Sequence, residues 1–457
     1  MKYNGSKKPR SFTQKEEFHQ NLKIRVHETD LGKESNKEIS KSGKEIAIYI
    51  KKQFTLGVTS GFIGRNTVLN ILRNKPVERK SLQIFCDAFG IELTEKDLIP
   101  NNPDEDVDKN IPSSGMLVEP DSKWYVSNKR LEEDCLSELL DLSPDGKVGS
   151  LVRVRAPNKM GKTSFLRRIE YLLSQYSADL SQVHLSLAEV DNSILKNSGK
   201  FYRWLCASIT NELSLESKID SYWDKDLGNK SSFSNYIEKY VLKEVDLPLF
   251  LFLDDVDLLL RYSEIAKDFF VLLRFWHEKK DFYSKLRIVI SYNTFAYIKF
   301  DPVNSPFNVG HRVDIPYFTQ EQINRIASEC QLKWTEEDIS NLFKLVAGHP
   351  YLVRLAFYQV VSQKVDIKKV IDNGANEDGL YASYLSKIKK ELESMDDSFE
   401  LFESLKLLVS NASPVELNVD LNFPLLRLGL INLSGNKASV KCELYRQYFS
   451  RILLKNV

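Results

Sequence analysis

Little in these 457 residues suits covalent cross-linking or a dedicated transition-metal site. The five cysteines, at 86, 135, 206, 330 and 442, are scattered and none has C-x-x-C spacing, so a disulfide frame and a zinc site are excluded and the thiols read as reduced core fillers. No apolar run reaches bilayer length, since the longest, such as Leu247 to Leu253, stop within a few residues at Asp254, and no membrane span is expected. The first twenty residues are polar and basic, without the apolar segment of a secretory leader, and a cytoplasmic location is expected. An excess of charge is missing too: the formal net charge is +1, so any contact with nucleic acid must come from a local patch. What remains, 42% hydrophobic and 28% charged residues, is the composition of a folded protein, and the length implies two to four domains.

The stretch Ala156-Pro157-Asn158-Lys159-Met160-Gly161-Lys162-Thr163-Ser164 organises the chain. The apolar run Leu151 to Val154 precedes it, and Phe165, Leu166, Ile169, Leu172 and Leu173 follow on one face of a helix, giving strand, tight loop, helix. In such a loop successive backbone N–H groups curl around an anion while the positive end of the helix dipole points at it. Lys162 is placed to reach the β- and γ-phosphates and the Thr163 hydroxyl to sit on Mg²⁺. Ala156 stands where the pattern opens with glycine, which is tolerable only if its φ stays negative.

A second half of a nucleotide site is expected in Leu249-Phe250-Leu251-Phe252-Leu253-Asp254-Asp255. Five apolar residues predict a buried central strand, with carboxylates emerging at its carboxyl end. Asp254 is the candidate Mg²⁺ holder opposite Thr163. Asp255 occupies the position where phosphate-loop ATPases usually carry a glutamate that orients the attacking water, and its shorter side chain predicts hydrolysis that is slow or needs a partner. The strands Val183–Leu187 and Leu286–Ser291, with helical segments between them, point to a parallel sheet covered on both faces. After the last strand, Asn293 or Thr294 is either a γ-phosphate sensor or a turn cap. Arg261 and Arg312 are candidate arginine fingers. Thr319 and Gln322 form a capping-box pattern, and Gly348-His349-Pro350 reads as one helix closing and the next beginning. His349 is expected to be packed, not a ligand. No N-K-x-D string is present to read guanine, which favours ATP.

Towards the amino terminus, residues 1–45 are expected to form a polar, lysine-rich arm and 46–100 a set of short helices. The linker 101–114, N-N-P-D-E-D-V-D-K-N-I-P-S-S, carries two prolines and an acidic cluster. The helical stretch before it resembles a lambda-repressor-type helix-turn-helix. That resemblance implies that Arg65, Asn66, Thr67, Asn70 and Arg73 face base edges of double-stranded DNA and that Lys75, Arg79 and Lys80 serve phosphates; a small helical adaptor for a partner protein is the alternative. At the other end, helices followed by a hairpin around Ser434-Gly435-Asn436-Lys437 read as a winged-helix unit, in which Arg427, Lys437, Lys441 and Arg446 are candidate nucleic-acid contacts; a unit that serves only for packing is the alternative.

The strings D-S-K-W-Y-V, R-A-P-N-K-M-G-K-T-S, F-Y-R-W-L-C-A-S, L-D-D-V-D, G-H-P-Y-L-V-R-L-A and C-E-L-Y-R-Q-Y-F resemble the bacterial AAA-like domain proteins, which are STAND- or initiator-type P-loop ATPases. The resemblance runs from about residue 115 to 453. It implies an α/β parallel-sheet core at 115–316, a helical lid at 317–395 and a winged-helix domain at 396–457. It also implies that Tyr125 and Val126 pack on adenine, where the alternative is that they staple the next helix, and that Pro350 touches the base and Arg354 senses phosphate. The expected activity is an ATP- and Mg²⁺-dependent switch that couples nucleotide state to DNA or a partner protein in regulation, signalling or defence. A nucleotide-independent DNA-binding scaffold with a relic fold, and an ATP-dependent oligomer that recruits another enzyme to DNA, are the competing readings.

Overall fold

In a computed structural model of the chain, the described residues are 79–94, 97–100, 116–140, 151–176, 180–245, 248–278, 285–293 and 309–454, with a few scattered positions before residue 79. The backbone divides into two compact units, Met1–Lys109 and Asn110–Val457.

In the first unit, Ile46, Ile50, Val68, Ile71, Leu82 and Phe85 are buried in one core. The helix Arg79–Ala88 contributes the last two, and Gly90, with φ of +63°, closes it in the left-handed conformation that glycine adopts without strain. Phe12–Gln14 pairs antiparallel with Leu98–Pro100, so this part of the expected arm is a strand. Three residues are too few for an alternation to be legible. Arg65, Asn66, Thr67, Asn70, Arg73 and Lys75 lie outside the described residues; Arg79 is exposed at the start of its helix.

The second unit is built on five parallel strands: β1 (Leu151–Ala156), β2 (Ser181–Ser186), β3 (Leu249–Asp254), β4 (Leu286–Asn293) and β5 (His311–Asp314), in the order β2-β3-β4-β1-β5. Alternation along β3 explains why the sheet is covered twice. Leu249, Leu251 and Leu253 enter one core, beneath α3 (Ser198–Glu212) and α4 (Ser263–Glu278), whereas Phe250 and Phe252 enter another, beneath α1 (Lys129–Leu140) and α2 (Lys162–Tyr176). Each such side chain contributes roughly 1.5–3 kcal/mol by leaving water. Two arginines are buried in the sheet and hydrogen-bonded there: Arg153 donates to the Tyr292 hydroxyl and the Gly310 carbonyl, and Arg287 Nε donates to the Leu139 carbonyl near the close of α1. The fifth strand was not expected; H-R-V-D holds one buried apolar residue, Val313, too weak a signal to read.

Beyond the sheet come α5 (Gln320–Glu329), α6 (Glu336–Val346) and α7 (Pro350–Gln363). Thr319 and Gln322 form the capping box at the start of α5, and Pro350 is the first residue of α7. At Gly348 φ is +70° and an added Cβ would stand 2.0 Å from the Phe318 carbonyl oxygen, so only glycine fits where this turn presses on the segment leaving the sheet. The chain ends with α8 (Ala382–Glu393), α9 (Ser398–Ser410), β6 (Val415–Glu416), α10 (Val419–Arg427), the hairpin β7 (Ile431–Ser434) and β8 (Lys437–Val440), and α11 (Glu443–Leu453). Ser434 pairs with Lys437, which leaves Gly435-Asn436 as a two-residue turn.

Arg446 is taken up inside this last segment, donating to the carbonyls of Leu408, Val409 and Asn411 at the end of α9. Lys441 donates to Asn432 and lies over the Tyr317 ring. Both cations thus have partners within the chain: exposed carbonyls at a helix end and an aromatic face attract positive charge. Among the described residues no helix is long and apolar enough to cross a membrane.

Candidate functional site

Strand β1 delivers Ala156 to the carboxyl edge of the sheet, and the loop from Pro157 to Gly161 turns into α2. Positive φ falls at Lys159 (63°) and Gly161 (93°) and not at Ala156, so alanine is unstrained where glycine was expected. Lys162 is 8% exposed, and its ammonium donates to the carbonyls of Ala156 (3.2 Å) and Pro157 (3.3 Å). Burial lowers its pKa, while Asp257, Asp255 and Asp254 nearby act in the opposite sense.

The carboxylates arrive from β3. The Thr163 hydroxyl donates to Asp254 Oδ2 at 2.5 Å, and the Ser291 hydroxyl from β4 donates to Asp254 Oδ1. Asp255 sits in the left-handed region (φ 57°, ψ 36°), which turns the chain sharply off the strand. Its N–H donates to Asp254 Oδ1 and Ser291 Oγ, each at 3.1 Å. Burial first, and then the Asp254 charge, push the Asp255 carboxyl up to about 6, despite Lys162 and a hydrogen bond with Ser186 that pull it down. Ser186 ends β2 in register with Asp254.

A cavity of about 680 Å³ joins these groups. Its wall includes Asn158 to Thr163, His184, Ser186, Glu189, Asp254 and Asp255. The wall also includes Met116, Leu117, Tyr125, Val126, Phe318, Gln322, Pro350, Tyr351 and Arg354. The structure thus brings Asn158, Lys159, Met160, Gly161, Lys162, Thr163, Ser164, Asp254, Asp255, Tyr125, Val126, Pro350 and Arg354 onto one surface. Ala156 and Pro157 do not line it; their carbonyls hold Lys162 instead. Asn293 does not line it either. Its amide donates to Asn158 Oδ1 (3.0 Å) and its backbone N–H to Asp257 (3.2 Å), so it braces the loop from behind. Thr294 lies outside the described residues. Of the two candidate fingers, Arg312 is ion-paired with Asp314 (2.9 Å), and neither Arg312 nor Arg261 lines the cavity.

Tyr125 does two things, which bears on the alternatives left open for it. It lines the cavity, and the Arg168 guanidinium lies 5.3 Å from its ring centroid. That arginine also pairs with Glu132 (3.1 Å), whose other oxygen accepts from the Asn128 N–H at the start of α1. The tyrosine is therefore held beside the helix entrance and presented to the cavity at once.

A family model described as an AAA-like domain matches residues 113–451. The chain belongs to the AAA-like domain family. A Walker-type ATPase of Pyrococcus abyssi has a similar fold, with a TM-score of 0.51 at 13% identity over 71% of this chain and 96% of that one. The ORC2 protein of Aeropyrum pernix, solved in ADPNP–ADP complexes, aligns with a TM-score of 0.44 at 12% identity over 71% of this chain and 93% of that one. A stretch of 141 residues is 31% identical to part of a threonine–tRNA ligase from a Nocardioides species, covering 28% of this chain and 19% of the ligase; the chain thus spans about a fifth of the length of that curated relative.

Among the residues on the cavity of this AAA-like domain that the sequence does not single out are His184, Ser186 and Glu189. Their only signal was their place at the carboxyl end of a parallel strand, which becomes informative once β2 is known to lie beside β3. His184 is bound through Nδ1 to Glu170 on α2, which in turn pairs with Arg167.

Proposed function

We propose that this chain is an ATP-binding, slowly hydrolysing molecular switch whose nucleotide state is coupled to engagement of DNA or a partner protein. One observation carries the reading: an anion-binding loop, a buried ammonium, a hydroxyl bonded to a carboxylate and a second carboxylate with a raised pKa meet on one cavity, facing Pro350, Tyr351 and Arg354 of α7. In this reading Lys162 contacts the β- and γ-phosphates, and Arg354 approaches them from the side of α7. Tyr125, Val126 and Pro350 hold the base. Asp255, whose carboxyl is pushed up to about 6, orients the attacking water and accepts its proton, while Asn293 keeps Asn158 and the loop in place.

The Thr163 and Asp254 oxygens fit Mg²⁺, a hard cation that takes few protein ligands and completes its shell with water and phosphate. Among the described residues no group of three or more His, Cys, Asp or Glu could hold a metal alone, so an ion at this position would share substrate oxygens. When bound it would neutralise phosphate charge.

The helix-turn-helix reading of the first unit, with Arg65, Asn66, Thr67, Asn70 and Arg73 towards DNA, remains part of the proposal. In the carboxyl-terminal segment, read as a winged helix, the exposed face of α10 carries Val419, Asp420 and Phe423, and the one cation of the helix, Arg427, is paired with Glu391. That surface favours packing or a protein partner over phosphate. The test is calorimetric titration with a non-hydrolysable ATP analogue, with and without Mg²⁺, beside turnover and particle mass with and without duplex DNA. Heat and Mg²⁺-dependent affinity are expected in the wild type. Their absence leaves the scaffold reading standing, and ATP-dependent growth in mass on DNA supports the oligomeric one.

A further inference from the structure

His349 caps the start of α7 and is buried, at 3% exposure, without itself lining the cavity. Its Nε2 shares a hydrogen bond of 3.3 Å with the Tyr384 hydroxyl on α8, and that hydroxyl shares one of 2.9 Å with Tyr445 on α11, itself 1% exposed. On the other side, the backbones of His349 itself and of Asn158 in the phosphate loop lie close enough to the imidazole to act on its charge, but neither makes a well-formed hydrogen bond with it, so Nδ1 is buried without a partner of good geometry. Burial keeps the ring neutral, its pKa lowered to about 4. Around this chain stand Tyr317, edge-on to His349 at 6.0 Å, and Tyr351, 5.6 Å from Tyr384 and under the Lys159 ammonium at 5.3 Å. The carboxyl-terminal segment also reaches the loop directly, since a Cβ on Gly429 would lie 3.5 Å from Pro157 Cβ.

Building on the nucleotide-site reading, we propose that His349 is a positioning residue that ties the phosphate loop to the last helix of the chain through Tyr384 and Tyr445, so that α11 reports whether the loop holds phosphate. The physical basis is an imbalance. A buried polar atom without a partner raises the free energy of the arrangement in which it is unpaired. A neutral imidazole has one donor and one acceptor nitrogen, and here only one is used. Phosphate entering the loop reorients its backbone, Asn158 included. Any movement that satisfies Nδ1 fixes the tautomer, and with it the direction in which the two tyrosine hydroxyls donate. The loop and α11 then share one hydrogen-bonded chain and respond together.

The test uses the full chain and two variants that keep every ring, Tyr384→Phe and Tyr445→Phe, neither of which lines the cavity. Affinity for the non-hydrolysable ATP analogue is measured by calorimetry, and amide hydrogen exchange of residues 443–453 is followed with and without saturating analogue. In the wild type the analogue is expected to slow exchange in α11 by about tenfold. In both variants affinity should hold within about threefold, while the slowing of α11 falls to less than half on a logarithmic scale. Full slowing of α11 in both variants overturns the coupling while leaving the nucleotide site intact. A wild-type chain that binds no analogue overturns both. His349→Gln, which keeps one donor and one acceptor, should retain more of the slowing than His349→Phe; equal slowing in the two also overturns the proposal.

Discussion

Lys162→Ala is the substitution on which the nucleotide reading turns. The ammonium is already removed from water, at 8% exposure, and already aimed by two loop carbonyls, so little ordering remains when a ligand arrives. A hydrogen bond to a charged group is worth about 1.5–3 kcal/mol, which corresponds to roughly 10- to 150-fold in Kd. The upper half of that range is expected, because the variant leaves Asp254, Asp255 and Asp257 without the cation that faces them, and their charges repel a polyphosphate. Calorimetric titration with a non-hydrolysable ATP analogue at fixed Mg²⁺ and ionic strength measures the loss directly. Thermal unfolding gives an independent check: ligand at a hundred times Kd stabilises by about 2.7 kcal/mol, and the variant at the same concentration should show only a small part of that shift. An affinity within about twofold of wild type would refute the argument, since a buried ammonium on the phosphate path cannot be energetically silent.

Two further expectations follow from the same geometry. ATP turnover should decline as pH falls through about 6, where Asp255 gains its proton and no longer accepts one from water; a rate flat from pH 5 to 8 would remove Asp255 from that role. Because its folded pKa is raised above the ordinary carboxylate value of 3.8, the same group favours the folded state at low pH and loses that contribution as pH rises from about 4 to 6, so Asp255→Asn should flatten stability across that window in urea titrations. Gly348→Ala should destabilise by roughly 2 kcal/mol or more, since a left-handed φ is combined with a backbone oxygen 2.0 Å from the new methyl. Gly435→Ala, with φ of +59° and open space, should cost only about 1 kcal/mol; similar losses at the two sites in denaturant unfolding would contradict the close-approach argument.

Much of the site was legible where the chemistry is local. The loop from Asn158 to Ser164 and the apolar run ending in Asp254-Asp255 are each read from a few consecutive residues, and their strand, loop and helix contexts follow from hydrophobic spacing. Other features are not local. Asn293, which with Thr294 is a candidate γ-phosphate sensor or turn cap, donates to Asn158, because a side chain's direction at the end of a strand depends on what packs around it. Strand β5 escaped notice because edge position lets it carry charges on both sides of a single buried valine.

What the sequence determined unaided is the set of segments able to bind phosphate and to bury a parallel sheet, since backbone dihedrals, helix ends and alternation are properties of neighbours along the chain. Only the tertiary structure decided which segments meet. The order β2-β3-β4-β1-β5 sets Ser186 beside Asp254, the left-handed turn at Asp255 aims its carboxylate, and the packing of α7, α8 and α11 threads His349 to Tyr445. These partners are tens to hundreds of residues apart, and their contact energies depend on register and burial that no local pattern encodes.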